Sequence, residues 1–515
     1  MGRNDFERVT PESVGIPSSA IENLLDKLEN GVTEMHGLMI MRHDKICAEG
    51  WWAPYGPGIH HGLQSLSKTY SATAVGIACT EGILHLDEAI IDIFPEQAPD
   101  TQSDFLRRLR VRDVLCMGSG MKTMPEATKD WIRDFLATEI EYEPGTAFMY
   151  NSVGSTLLCA MVEARSGETM AEYLKSRLFD KIGIDSNNTM WEYMPDGTSY
   201  GGGGFYATTE DNLRLMKLYK DGGRWNGEQI LSEDYVKQAI SKQINTATEA
   251  EGNPEASDNF LGYGFQIWMC SPEDVYRADG AMGQFSIVCP KQDMIISINE
   301  TATGAHWAQN TLNVVWEFLK EISENETVVR LADIPNEMAG ERLKRRMRHL
   351  AIESPEFIQA HQYKVESRIH NVPYQVVSGR FGFETEIENS HSGQKNLLGI
   401  ESFRLQFEQH QCRMIFKQME QIHTVEIALD GSRRWNRLKL PGRGASEVYL
   451  SGTWTSEMCF EVHARWIETC YENCLKFYCD GDHITITKSN TVGRYRAQNE
   501  LRAEAIKEDS TIWER

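Results

Sequence analysis

Gln64-Ser-Leu-Ser-Lys-Thr-Tyr-Ser-Ala-Thr-Ala-Val-Gly-Ile-Ala78 is the stretch on which the fold turns. Beyond Lys68, the residues Ala72, Ala74, Val75, Ile77 and Ala78 are small and apolar almost all round. That composition predicts a helix buried inside a domain, not an amphipathic one on its surface. Ser65 and Lys68 stand one turn apart at its start and share a face. A serine there has backbone N–H groups aimed at incoming negative charge. A lysine in low-dielectric surroundings loses its proton readily and can take one from the serine. The pair therefore predicts a nucleophile beside a base, with acyl transfer as the chemistry. The plainer alternative is a capping Ser65 and a solvated Lys68 in the first turn.

Two other segments fit S-x-x-K, Ser119-Gly-Met-Lys122 and Ser392-Gly-Gln-Lys395. Both carry an internal glycine, and Ser392 lies in a turn-like run, so neither predicts a pair on a buried helical turn. The Ser65 copy gains weight from an ordered set of downstream segments. Phe148-Met-Tyr-Asn-Ser152 leads into the apolar run Thr156–Glu163, and Gly201 to Gly204 lead into Phe205-Tyr-Ala-Thr-Thr-Glu-Asp211, with a helix cap at Thr208 or Thr209. Tyr263-Gly-Phe-Gln-Ile-Trp268 and Ala278-Asp-Gly-Ala-Met-Gly-Gln284 come next, then Phe285–Pro290 and Met294–Asn299, which read as sheet strands.

With these segments in this order, roughly the first two thirds of the chain resembles the serine β-lactamase and penicillin-binding-protein superfamily, in its class C-like esterase and amide-hydrolase branch. The resemblance implies an α/β (α+β) β-lactamase-like domain, an antiparallel sheet flanked by helices with a helical subdomain. It also implies Ser65 as nucleophile, Lys68 as the lysine of the first motif and Tyr150 as the tyrosine of the second. The oxyanion donors would be the backbone N–H groups of Ser65 and Ala281, with Gly280 and Gly283 permitting close approach. Two departures stand out. The second motif, commonly Tyr-x-Asn, here reads Tyr150-Asn-Ser152, and the third, usually Lys-Thr-Gly or His-x-Gly, reads Ala278-Asp-Gly280. Tyr-x-Ser with a Gly283-Gln284 ending is locally similar to 6-aminohexanoate-dimer hydrolases, which adds Ser152 and Gln284 to the candidate site.

Chemistry favours the tyrosine independently. A phenol titrates at about 10, and an adjacent ammonium favours its ionised form, so Lys68 and Tyr150 could share the proton that Ser65 must lose. Asp279 is the candidate for specificity: a carboxylate where carboxylate-binding relatives present cations or hydroxyls predicts a neutral or amine-bearing substrate. A turn hydrogen bond is its alternative role. Tyr263, Phe265 and Trp268 could line an acyl pocket or belong to the core.

Composition sets the limits. A chain of 515 residues, 41% hydrophobic and 25% charged, has material for two or three domains. Its formal net charge of -23 argues against nucleic acid or an anionic membrane as partner. No run of about 18 apolar residues predicts a membrane span, and the start Met-Gly-Arg-Asn-Asp-Phe lacks an apolar secretory core, so a cytoplasmic enzyme is expected. Eleven scattered cysteines suit reduced thiols. The one cluster, Cys470, Cys474 and Cys479, lacks paired C-x-x-C spacing and reads as strand cysteines rather than ligands. No cofactor and no metal are expected.

The first domain is expected over residues 1–325, a charged linker over 326–354 and a β-rich domain over 355–515. Short alternating runs such as Tyr374-Gln-Val-Val, Gly379-Arg-Phe-Gly-Phe, Phe403-Arg-Leu-Gln-Phe, Met414-Ile-Phe, Val425–Leu429, Leu475-Lys-Phe-Tyr and His483–Thr487, separated by turn residues, predict an all-β sandwich or barrel there. Serine hydrolases of the resembled kind can carry such a barrel, walling the active-site mouth or mediating assembly, so a homo-oligomer stays open. The expected activity is hydrolysis of a small ester or amide through an acyl-enzyme. The alternatives are a β-lactamase or D-amino-acid peptidase, and a non-catalytic ligand-binding or sensor protein. An α/β-hydrolase reading of Gly197-Thr-Ser199-Tyr-Gly201 lacks the strand before it and the helix after it.

Overall fold

The computed structural model describes residues 5–31, 33–252, 254–302, 308–329, 337–383, 399–440, 444–491 and 501–508. The chain divides into two compact units, one of Met1–Ile352 and one of Glu353–Ser390 with Gln394–Arg515.

In the first unit the elements that position the site are helix α1 (Ser18–Glu29), strands β1 (Thr33–Arg42) and β2 (Lys45–Trp51), and helices α2 (Ser67–Glu81), α3 (Ser152–Ser166) and α4 (Thr209–Lys220). Strands β3 (Trp268–Met269), β4 (Tyr276–Gly280), β5 (Gln284–Cys289) and β6 (Met294–Ala302) come after them in the chain, then helices α5 (Ala308–Val329) and α6 (Glu337–Met347). The six strands form one antiparallel sheet in the order β2-β1-β6-β5-β4-β3. Every residue of β5 and β6 is buried. A strand covered on both faces has no solvent side to mark with polar residues, hence the near-continuous apolar runs in the sequence. Helix α4 packs on β1, β5 and β6, and α1 packs on β1 and α5.

Helix α2 is buried without a break from Ser67 to Ala78 and packs along α3. Gly82 ends it in the left-handed conformation, φ 73°. Helix α3 opens on Asn151, whose Oδ1 accepts the Gly154 N–H at 2.8 Å. Together these give the β-lactamase-like α/β domain expected from the sequence. Helix α6 falls within the stretch read as a linker. It lies in the first unit and packs on α1, where Arg342 Nε donates to Glu22 Oε1 at 2.6 Å. Arg346 likewise pairs with Asp26 at 2.7 Å and Glu29 at 2.6 Å, so two residues of the basic cluster are committed to ion pairs on α1.

The second unit has strands β7 (Tyr374–Gly379), β8 (Ser402–Phe407), β9 (Gln411–Gln418), β10 (Gln421–Ala428), β11 (Arg434–Arg437), β12 (Glu447–Trp454), β13 (Cys459–Trp466), β14 (Glu472–Asp480), β15 (His483–Asn490) and β16 (Leu501–Lys507). They run in the order β10-β9-β8-β7-β16-β15-β14-β13-β12-β11, and a parallel pairing of Ala428 with Ser451 joins β10 to β12. Nine strands so close into a barrel, with β11 attached to the side of β12. Alternation builds it: in β14, Asn473, Leu475, Phe477 and Cys479 are buried, while Glu472, Cys474, Lys476 and Tyr478 face outward. Gly379-Arg-Phe-Gly-Phe, read as a strand, forms ladder pairs only at Gly379. Phe381 and Phe383 are buried, and the Phe383 carbonyl accepts hydrogen bonds from Trp466 Nε1 at 2.8 Å and Asn473 Nδ2 at 2.6 Å.

Candidate active site

Ser65 sits in a single 3-10 turn, Gln64–Leu66, immediately before α2. Gln64 holds φ at 52°, a left-handed conformation costly for a residue with a Cβ, so strain is stored next to the candidate nucleophile. Lys68, the second residue of α2, is 1% exposed. Its Nζ donates to Ser65 Oγ at 2.9 Å and to the carbonyl oxygen of Gly202.

Glycine makes the second bond possible. A Cβ on Gly202 would stand 2.5 Å from the Ser152 carbonyl, and one on Gly201 would stand 2.3 Å from Cys159 Sγ. Only a bare backbone threads between α2 and α3 there. The same strip is pinned by Gly202 N–H to Thr156 Oγ1 (3.1 Å), Ser71 Oγ to the Gly201 carbonyl (3.1 Å) and Phe205 N–H to Ser67 Oγ (3.0 Å). The Ser65 hydroxyl and the Gly202 carbonyl, which accept from Lys68, are both neutral. Burial therefore dominates and pushes the lysine pKa down to about 7, against a weaker opposing pull from Asp279.

Tyr150 is half-buried at the end of the loop into α3, its hydroxyl hydrogen-bonded to the Ser65 side chain. Lys68 Nζ stands 4.9 Å from its ring centroid. Trp268 stacks on the tyrosine ring, with centroids 5.9 Å apart and planes at 18°. Burial raises the Tyr150 phenol above its ordinary value, and the Ser65 hydrogen bond only partly offsets this. The pair thus shifts apart, the lysine towards the free amine and the tyrosine towards the neutral phenol. For the tyrosine, desolvation of the charged form outweighs the Ser65 hydrogen bond and the pull of Arg277, so the neutral phenol is favoured.

The third segment arrives on the hairpin between β4 and β5. A Cβ on Gly280 would lie 2.1 Å from the Leu63 carbonyl and 3.0 Å from the Leu66 N–H. This glycine therefore lets the hairpin touch the Ser65 turn, bringing the Ala281 backbone towards the candidate nucleophile. Met282 and Gly283 complete the turn with φ 67° and 88°. Behind it lies Glu300, fully buried, with Thr311 Oγ1 donating at 2.8 Å to Oε1; burial pushes its carboxyl up to about 8. A Cβ on Gly283 would stand 2.0 Å from Glu300 Oε1.

Gln284 is buried behind the turn, its amide spent on the Glu300 carbonyl (2.7 Å) and its oxygen accepting from Asn299 Nδ2 (3.0 Å). It braces the hairpin from within. Ser152 is the buried first residue of α3, next to the capping Asn151. Asp279 is partly exposed, and its Oδ2 accepts from Arg277 Nε at 2.7 Å. Arg277 is 1% exposed and also reaches Asn259 Oδ1 at 2.6 Å. Burial raises the Asp279 carboxyl while Arg277 pulls it down. Tyr263 and Phe265 are buried core, with Trp268 between that core and Tyr150.

The competing serines fall elsewhere. Ser119 is buried while Lys122 points outward to Glu141 at 3.4 Å. Ser199 Oγ donates to Glu163 at 2.8 Å in a loop with no flanking strand and helix. Ser392 and Lys395 lie outside the described residues. Sequence reasoning misses the Gly202 carbonyl, the strained Gln64 and Arg277. The four-glycine run signals the first, and the two-residue spacing of Arg277 from Asp279 on one strand face signals the last.

The chain is similar to the 6-aminohexanoate-dimer hydrolase of Paenarthrobacter ureafaciens, 24% identical over 312 residues that cover 56% of this chain and 78% of that protein. Among solved structures it is similar to a penicillin-binding protein homologue from Caulobacter crescentus, with a TM-score of 0.48, 16% identity and coverage of 61% of this chain and 100% of that one. It is also similar to the octameric penicillin-binding protein homologue from Pyrococcus abyssi, with a TM-score of 0.44, 14% identity and coverage of 94% and 99%. The family model described as Beta-lactamase matches residues 25–314, more than half of the sequence, and the chain belongs to the beta-lactamase family.

Proposed function

We propose that this chain is a serine hydrolase that cleaves a small ester or amide through an acyl-enzyme on Ser65. The observation that carries the reading is the buried Lys68 amine 2.9 Å from Ser65 Oγ, with its pKa at about 7. At neutral pH a large share of such a lysine is free base, able to accept the Ser65 proton as Oγ attacks the carbonyl carbon. The developing oxyanion is held by the backbone N–H groups of Ser65 and Ala281. Tyr150, a neutral phenol hydrogen-bonded to Ser65, gives its proton to the leaving oxygen or nitrogen as the scissile bond breaks, and the Lys68 ammonium restores it. Water then enters by the reverse proton path and releases the acid.

The Asp279–Arg277 pair bears on the substrate. Arg277 offsets the Asp279 charge from behind, so the mouth offers an acyl group a neutral ion pair rather than a bare carboxylate. A neutral substrate suits this better than an anionic β-lactam, and the case for an amine is correspondingly smaller.

Treating the full chain with a fluorophosphonate and mapping the adduct tests the assignment. The label is expected on Ser65, and Ser65→Ala is expected to stay folded and lose all label and turnover. An adduct on Ser119 or Ser199, or an active Ser65→Ala protein, would overturn it.

A further inference from the structure

We propose that the outer face of the barrel carries a divalent transition-metal site, suited to Zn2+, made by Glu461, His463 and Cys474 and oriented by Glu472. Sequence proximity groups Cys474 with Cys470 and Cys479, but strand alternation separates them: Cys470 and Cys479 are buried, while Cys474 points outward. There it pairs directly across the ladder with His463, and Glu461 stands two residues from His463 on the same face of β13. One carboxylate oxygen, one ring nitrogen and the thiol sulfur all lie within 4.8 Å of one another. Around tetrahedral Zn2+ such atoms are about 3.3 to 3.8 Å apart, so the set closes on an ion with shifts of roughly 1 Å.

The surroundings aim these groups. Glu461 places Oε1 2.8 Å from His463 Nε2 while Lys476 holds its Oε2 at 3.0 Å. Glu472 places Oε1 2.9 Å from His463 Nδ1 while Arg465 holds its Oε2 at 2.7 Å. Each carboxylate therefore has one oxygen fixed on a cation and the other directed at the ring. With Nδ1–H kept on Glu472, Nε2 is the nitrogen that faces Glu461, the arrangement by which a carboxylate sets the tautomer of a metal-binding histidine. A small cavity bounded by Phe357, Gly431, Thr453 and His463 adjoins the ring. Loading releases the proton between Nε2 and Glu461 and the thiol proton of Cys474 as the dication enters, so local charge is unchanged. Histidine, thiolate and carboxylate together select Zn2+ over Mg2+ or Ca2+.

The test titrates chelator-stripped full-length protein with Co2+ and then Zn2+. One Co2+ per chain is expected, with a thiolate-to-metal charge-transfer band in the near ultraviolet that Zn2+ abolishes. Cys474→Ser and His463→Ala should each lose the band, and Glu472→Gln should keep it with affinity about 10- to 100-fold weaker. Should a variant not fold, wild-type protein decides: bound Zn2+ is expected to protect Cys474 from iodoacetamide, read by peptide mass spectrometry. Absence of one-to-one binding, a band surviving in Cys474→Ser, or a Cys474 alkylation rate unchanged by Zn2+ would overturn the site.

Discussion

Lys68 in the first unit and His463 in the second are both nitrogen bases held by hydrogen bonds, and their surroundings push them in opposite directions. Lys68 faces the neutral oxygens of Ser65 and Gly202, and burial lowers it to about 7. His463 loses solvation too, yet two carboxylates raise it to about 9. Depth alone does not set a proton affinity; the charge of the partners does. The first unit arranges an uncompensated amine by bringing bare backbone close to it. The barrel surface sets carboxylates and cations side by side around its histidine.

The comparison breaks most visibly if the amine is removed. Lys68→Ala and Tyr150→Phe are each expected to lower kcat by about a thousandfold on a nitrophenyl ester. The double variant should lose little more than the worse single one, because the two are links of one proton relay. Fully additive losses would show two independent roles.

Next in size is the pH response. With the Lys68 pKa at about 7, kcat/KM is expected to rise roughly tenfold per pH unit below 7 and to level off above it, because the free amine is the active form. A rise placed near 10 would mean that the amine is solvated.

In the barrel the expected effect is on stability alone. Replacing His463 by Ala in metal-free protein leaves Glu461 and Glu472 facing each other, which should cost about 2 kcal/mol in denaturant unfolding. Turnover of the folded variant should match the wild type. The smallest change is expected at Asp279. Asp279→Asn keeps the shape and leaves Arg277 unbalanced, so turnover of anionic substrates should improve a few-fold relative to neutral esters. No change in that ratio would remove Asp279 from substrate selection.

Much of the molecule is legible in the sequence because it is local. The apolar composition of 67–78 decides burial of α2, two-residue alternation decides the strands of the second unit, and one helical turn puts Ser65 beside Lys68. The rest depends on residues distant in sequence. Nothing near Lys68 indicates that its second acceptor is the Gly202 carbonyl, or that burial dominates the proton affinity of Tyr150. Gln284 looks like a cleft residue from its place in a motif, and only the packing of β6 against the hairpin shows its amide spent on Glu300 and Asn299. Helix α6 is hidden by its charge, which reads as linker until its Arg342 partner on α1 is known.

The missing side chain at Gly280 also governs when the site can exist during folding. The Ser65 turn and the hairpin it touches come from opposite ends of the first unit, and neither has the geometry for chemistry alone. Their meeting must await closure of nearly the whole intervening chain, a costly long-range contact. In a refolding experiment, recovery of turnover should therefore trail recovery of helical signal. Under mild denaturant, turnover should disappear while most secondary structure persists.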